Sequence, residues 1–485
     1  MRKIIKRKQP TPLLIVLASF DPSCEGVDHY DPEHPEILTD ISSPYYGEQW
    51  TTSDPQHYYD TFFKEDGDSL IDYYKEMTGE RFWFYPAKID HPPKGGLSEG
   101  VLKLAMPFPH PAALRNFKGF TNRSAAHKAI HDIVKECDLY IDFDKYDTDN
   151  DGRITPDEFA IIILNAGYDH STQRGDTDYS SVDYENAPDP RARFMVHGTS
   201  QHIIVETRDG IHLTCFSNVG EHRNINKKYM TIGTPAHELA HNLGAQDLYS
   251  RYTPPEDAEK RWPTPRHFSI MSNGNHLNGG NTPSYMDPYQ RMLFEWINVE
   301  EATEDGVYTI HSVRSGKGNI IKIPTANPDE YYLCEIRLKE GFEEYLSGDD
   351  SRGGVVVWHI DEAINRQWFW KAQCVSSNRP GGKRHDLGVA LKPREGMERI
   401  LDDDGNFVKF GPLYAEDTST STPYFYKSDD PTTSVFNSRD YCGAASLSYS
   451  LNTFPEGVSE KWNLRIDVLD EAGAEMKIKI TRTED

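Results

Sequence analysis

Two histidines and two carboxylates within eleven residues could do chemistry here. His237 and His241 stand four residues apart. On a helix that spacing puts both imidazoles on one face, one turn apart, where they can grip a single ion. Glu238 follows the first histidine and can point into the same cleft without joining the ligands, as a general base does. Gly244 is placed to end the helix in a left-handed conformation and turn the chain back. Asp247 then returns to the ion as a third ligand. Two imidazoles, one carboxylate and one open position describe a catalytic zinc site rather than a structural one. Zinc lowers the pKa of a water towards about 7 and polarises a carbonyl. Glu238 would take the proton of that water and hand it to a leaving amine.

His-Glu-x-x-His alone arises by chance in helices rich in Ala, Leu and Glu. Gly244 and Asp247 at their offsets make the pattern specific. Ser269-Ile270-Met271-Ser272-Asn273-Gly274 lies about thirty residues downstream and supplies a methionine in a tight turn, the companion of the extended zinc motif. By itself Met271 would be an ordinary core residue. Tyr249, two residues past Asp247, reads either as a hydroxyl beside the ligands or the substrate, or as a packed aromatic. His197, His202, His212, His222 and His267 read as ordinary polar residues.

A second constellation lies upstream. Residues Asp147 to Glu158 match a twelve-residue EF-hand loop: Asp147, Asp149 and Asp151 at positions one, three and five, Gly152 at six, Arg153 offering its carbonyl at seven, Ile154 at eight and Glu158 at twelve. Ca²⁺ is a hard cation that wants this density of oxygens. The apolar run from Phe159 to Leu164 reads as a strand rather than a second helix, and no second loop pairs with this one. The pattern predicts a structural calcium staple rather than a sensor.

These residues need elements to position them. Leu13 to Leu17 reads as a buried strand bounded by prolines. Ser69 is a helix N-cap with Asp72 in the first turn, and Gly79 is the stop. Residues 124–137 carry apolar positions at three- and four-residue steps, including Ala126, Ile130, Ile133 and Cys137, which predicts an amphipathic helix. Phe194–Val196, His202–Val205 and His212–Phe216 look like strands. Beyond about residue 300 short apolar or alternating segments recur: Val307–Ile310, Asn319–Ile323, Tyr331–Leu338, Gly354–Ile360 and Gly388–Leu391. Leu464, Ile466 and Val468 alternate up to a turn, and Met476, Ile478 and Ile480 alternate back, as a hairpin does. Stretches 376–385 and 415–433 read as loops.

The chain has 485 residues, too many for one ordinary core. Its formal charge of −25 repels nucleic acid and anionic membranes. No apolar run is long enough to span a membrane. Six well-separated cysteines without a CxxC pair give neither a disulfide scaffold nor a cysteine-zinc site and leave the redox compartment open. The basic start followed by Leu13–Leu17 resembles a signal peptide superficially, but prolines interrupt it and no clear cleavage site follows.

Taken together, the zinc segment Pro235–Tyr249, the turn Ser269–Gly274, the acidic loop with its strand (Ile141–Gly167), and the stretch VVVWHIDE at Val355–Glu362 resemble the immune-inhibitor-A type of bacterial metalloprotease, peptidase family M six. The resemblance covers about residues 12–485. It implies an α+β chain: a basic tail (1–11), a metzincin-like zinc protease domain (12–299) containing the calcium loop 147–158, and an all-β sandwich C-terminal domain (300–485). It implies a secreted endopeptidase that acts on extracellular proteins with Zn²⁺ and Ca²⁺, His237, His241 and Asp247 holding the zinc and Glu238 catalysing. The acidic loop is longer here than the family's usual form, so Glu158 rests on the EF-hand pattern alone. An alternative is a glycan- or matrix-binding adhesion protein with a vestigial zinc site, the β domain making the contact. A third reading is a zinc hydrolase that does not act on peptides. His359 and Asp361 share one face of a strand and have no role in this reading beyond domain packing.

Overall fold

Strand β1 (Thr11–Phe20) is buried along its whole length and forms the spine of a seven-stranded sheet. Its side chains alternate between two apolar layers, Leu13, Ile15 and Leu17 on one face and Leu14, Val16 and Ala18 on the other. A strand covered on both faces reads as a continuous apolar run, which is what Leu13–Leu17 is. This computed structural model describes residues 10–21, 52–108, 110, 123–169, 171, 195–223, 229–248, 265–325, 328–347, 352–362, 365, 389–391, 399–401, 407–410, 424, 427, 434–437 and 462–484. Tyr249, loop 376–385, most of 415–433 and the tail before residue 10 lie outside them.

Helices α1 (Pro55–Phe63) and α2 (Leu70–Thr78) follow. Helix α2 has the predicted ends: Ser69 and Asp72 form a reciprocal capping box, and Gly79 closes the helix at φ +57°. Strands β2 (Phe84–Pro86) and β3 (Val101–Met106) both pair in parallel with β1. Helix α3 (Arg123–Cys137) covers one face with Ile130, Ile133, Val134 and Cys137. The short β4 (Arg153–Ile154) leads to β5 (Ala160–Asp169), which lies parallel to β1 on its other side. Strand β6 (Met195–Glu206) runs antiparallel to β7 (His212–His222), and β7 pairs in parallel with β5 and β4. The sequence reading has Phe194–Val196 and His202–Val205 as separate strands; Met195, Val196 and His202–Val205 belong to one strand, interrupted by a register shift after Ser200, and Phe194 lies outside the described residues.

Helix α4 (Gly233–Leu243) carries His237, Glu238 and His241 and packs on the opposite face from α3. The chain then passes through the turn at Ser269–Gly274 into α5 (Pro288–Leu293). Among the described residues beyond it, most regular elements are strands. Strands β8 (Asn298–Glu301), β10 (Asn319–Pro324), β11 (Glu330–Leu338), β12 (Gly353–Asp361) and β13 (Val389–Leu391) make a five-stranded sheet. Strands β9 (Gly306–His311), β16 (Val435–Asn437), β17 (Trp462–Val468) and β18 (Glu475–Glu484) make a four-stranded one, with β14 (Arg399–Leu401) and β15 (Phe407–Phe410) as a separate pair. The predicted hairpin is β17–β18, with Leu464, Ile466 and Val468 buried with Met476, Ile478 and Ile480.

The five-stranded sheet has two covered faces. Cys334, Ile336, Val355 and Val357 share an apolar cluster with the four-stranded sheet. Tyr331, Leu333, Val356, Trp358 and Ile360 join the cluster that also contains Leu239, Met271 and Phe268. The fold is therefore mixed, with several sheets and few helices, and is compatible with α+β. Among the described residues no helix is long and apolar enough to cross a membrane.

Candidate metal centre

Helix α4 is buried almost throughout. Ser217 on β7 donates its hydroxyl to the carbonyl of Glu238 at 2.9 Å, and Gly233 lies so close to Asn275 that a Cβ would stand 2.0 Å from its carbonyl oxygen. The helix ends at Gly244, φ +111°, in the left-handed region that favours glycine. Gly244 and Ala245 return their N–H groups to the carbonyls of His241 and Ala240 at 3.0 and 2.9 Å. This reversal brings Asp247 back over the helix.

Three atoms then converge. Nε2 of His237 and Nε2 of His241 lie 3.1 Å apart, and Oδ1 of Asp247 is 3.4 Å from the first and 3.0 Å from the second. A tetrahedral zinc with bonds of about 2.0–2.1 Å sets its ligands roughly 3.3 Å apart. The three separations are therefore those of one face of a zinc tetrahedron, and the donor set fits that ion. The carboxylate of Glu238, on a residue 2% exposed, comes within 4.8 Å of both imidazole ligand atoms.

The rings are held from behind. Nδ1 of His237 donates to the carbonyl of Ile270 at 2.7 Å, and Nδ1 of His241 to that of Ala245 at 2.9 Å. A carbonyl only accepts, so both Nδ1 atoms carry hydrogen and each ring turns the lone pair of Nε2 to the centre. Ile270 belongs to the predicted methionine turn, where Met271 is fully buried. The Met271 backbone N–H donates to the Ser269 hydroxyl at 3.2 Å, and the Met271 carbonyl accepts from the Leu248 N–H at 2.7 Å. Gly274 closes the turn, and a Cβ there would stand 2.0 Å from the Ser284 hydroxyl.

The electrostatics follow from crowding. Burial works against the imidazolium of His241, but the carboxylates of Asp247 and Glu238 outweigh it, and its pKa is pushed up to about 9. Burial likewise works against the Asp247 carboxylate, and the two imidazoles more than offset it, holding the group well below the usual range.

The acidic loop gathers Asp147, Asp149 and Asp151, whose carboxylate oxygens lie within 4.8 Å of one another. Asn150 and Gly152 take positive φ at +58° and +79°. Arg153 and Ile154 form β4 and dock the loop on β7. Glu158 is turned within the loop: Oε1 accepts from the backbone and hydroxyl of Thr148 at 2.9 and 2.8 Å, and Oε2 from the Thr155 backbone at 3.1 Å. It is not grouped with the three aspartates. Among the described residues these two are the groups of three or more His, Cys, Asp or Glu that could meet at one ion.

His359 has a partner that the sequence did not suggest: its Nε2 lies 3.0 Å from Oε2 of Glu330 on the adjacent strand, both residues buried. Three residues that hold the backbone around this pocket also escaped sequence reading: Ser217, Asp287 and Gln290. Asp287-Pro288-x-Gln290 carries a readable helix-start signature. Nothing local in the sequence tells where the side chain of Gln290 reaches.

No protein-family model matches the chain, and no curated protein matches it. Among solved structures it is similar to wild-type OgpA from Akkermansia muciniphila, at 13% identity and a TM-score of 0.27, covering 100% of this chain and 94% of that one. At that TM-score the likeness carries no chemical information.

Proposed function

We propose that the chain is a zinc-dependent endopeptidase. The observation that carries this reading is the mutual spacing of 3.0–3.4 Å among Nε2 of His237, Nε2 of His241 and Oδ1 of Asp247 with the Glu238 carboxylate beside them. His237, His241 and Asp247 would hold the zinc. When bound, it lowers the pKa of a water towards about 7 and polarises a carbonyl oxygen. Glu238, beside the two imidazoles, would take the proton of an attacking water as its oxygen bonds to the peptide carbonyl carbon, and would deliver that proton to the departing amine nitrogen as the C–N bond breaks. Ser217 fixes the backbone of Glu238 during this exchange.

Residues 12–299 are the catalytic part of this reading, in a metzincin-like arrangement, and 300–485 the β-sandwich part. Family membership with the immune-inhibitor-A type, secretion, and action on extracellular proteins belong to the same proposal, supported by the motifs quoted above. Calcium at Asp147, Asp149 and Asp151, with the Arg153 carbonyl, would staple β4 to the sheet, and Glu158 would join the shell only by leaving Thr148 and Thr155.

The test is Glu238→Gln in the full chain. The variant should fold, retain zinc, and lose cleavage of an unstructured protein such as casein by a factor of at least about 100. Undiminished cleavage by Glu238→Gln overturns the reading.

A further inference from the structure

Asp247 lies outside any regular element. Residues 245–248 have no helix or strand of their own, so the position of the third ligand depends on bonds from elsewhere in the chain. Those bonds come from both sides. After Asp247, the Leu248 N–H donates to the carbonyl of Met271 at 2.7 Å. Before it, the side-chain amide of Gln290 grips the backbone of Gln246 with both ends. The Gln246 N–H donates to Oε1 of Gln290 at 2.6 Å, and Nε2 of Gln290 donates back to the Gln246 carbonyl at 3.1 Å. Gln290 is 3% exposed.

The amide is itself fixed. Nε2 of Gln290 also donates to Oδ2 of Asp287 at 3.0 Å, and Oδ1 of Asp287 caps α5 by accepting from the Gln290 backbone at 2.9 Å. The hydroxyl of Ser269 donates to the same Oδ2 at 3.1 Å while accepting from the Met271 N–H. Asp287 is fully buried. The start of α5 therefore ties the flank of the third ligand and the methionine turn to one carboxylate.

We propose that Gln290 is a positioning residue for the metal: its two-ended hold on Gln246 sets where the Asp247 carboxylate stands relative to His237 and His241. This rests on the reading of those three residues as zinc ligands. Helix capping does not account for the side chain, because Asp287 already caps the backbone and the amide reaches across 44 positions of sequence instead. A partner that orients a metal ligand in this way costs about 10- to 100-fold in metal affinity when removed.

The experiment measures zinc affinity by competition with a chromophoric chelator, and the visible absorption of the cobalt-substituted chain. It compares wild type, Gln290→Met, Gln290→Glu and the distant core variant Ile480→Val. Gln290→Met should weaken zinc binding by about 10- to 100-fold and alter the cobalt spectrum. Gln290→Glu keeps the acceptor for the Gln246 N–H but loses the donor to its carbonyl and to Asp287, so it too should lose affinity measurably. It carries the test alone where Gln290→Met does not fold. Ile480→Val should lower the melting temperature and leave affinity and spectrum unchanged. Wild-type affinity and spectrum in the Gln290 variants overturn the proposal, as do losses equal to those of Ile480→Val. Absence of zinc binding in the wild type itself overturns the underlying reading and is seen in that arm alone.

Discussion

Nδ1 of His237 donates to the carbonyl oxygen of Ile270 at 2.7 Å. This bond ties helix α4 to the turn at Ser269–Gly274, thirty-three residues later, and fixes which nitrogen of the ring faces the centre. His241 does the same locally, through the carbonyl of Ala245. With both rings locked, Nε2 of His237, Nε2 of His241 and Oδ1 of Asp247 share a small buried volume, for which a proton and the proposed metal ion would compete.

That competition sets a pH dependence. His241 is displaced up to about 9, with burial opposing the shift and Asp247 and Glu238 outweighing it, so the metal-free pocket holds a proton at neutral pH. Zinc must expel it. Apparent zinc affinity should rise about tenfold per pH unit from about pH 7 to about pH 9 and then level off. For the zinc-free chain the sign is opposite: a raised histidine pKa stabilises fully below the unfolded value of about 6.5 and is lost as pH rises through the folded one. Its melting temperature should therefore fall from about pH 6.5 to about pH 9. Zinc titrations and melting curves at stepped pH check both, and a flat affinity over that range would show that no proton leaves.

A second expectation concerns Arg337. This fully buried guanidinium bonds Glu343 through Nε at 2.7 Å and again through Nη2, meets Glu335 at 3.1 Å, and donates to the carbonyl of Phe268 at 3.2 Å. Arg291 and the indole of Trp358 complete the hold on Glu335. Removing one partner of a buried pair strands the other charge, at a cost of about 3–5 kcal/mol. Arg337→Met should lower unfolding stability by that amount. The deficit should shrink towards acid pH, because burial already raises the Glu343 carboxyl and the stranded group will take a proton. Denaturant titrations at two pH values measure this.

The reach of the sequence can be judged from these residues. His237, Glu238, His241, Gly244 and Asp247 were legible because they lie within one helix turn and its reversal, where spacing alone dictates geometry. Leu13–Leu17, the Ser69 helix and the β17–β18 hairpin were legible for the same reason. Gln290, Asp287 and Arg337 were not, because their partners lie 44, 18 and 69 positions away and no periodicity encodes such a pairing. Glu158 fell between: its place in the loop was legible, but its carboxylate bonds Thr148 and Thr155, a choice that local hydrogen bonding makes and a motif does not contain.

Calcium binding at the acidic loop carries its own expectation. Asp147, Asp149 and Asp151 repel one another at this spacing, and a divalent cation would relieve that repulsion. Chelation by EGTA should lower the melting temperature and increase self-cleavage while the zinc content stays at its starting value. Asp149→Asn should reproduce part of the loss. A melting curve indifferent to calcium in both proteins would count against the staple.

The most direct measurement is zinc stoichiometry. The chain and its His241→Ala variant, stripped of metal, are dialysed against micromolar Zn²⁺ and assayed for bound metal. The geometry of His237, His241 and Asp247 predicts one tightly held zinc per wild-type chain and none held with comparable affinity by His241→Ala. Equal zinc in both proteins, or none in the wild type, would contradict it.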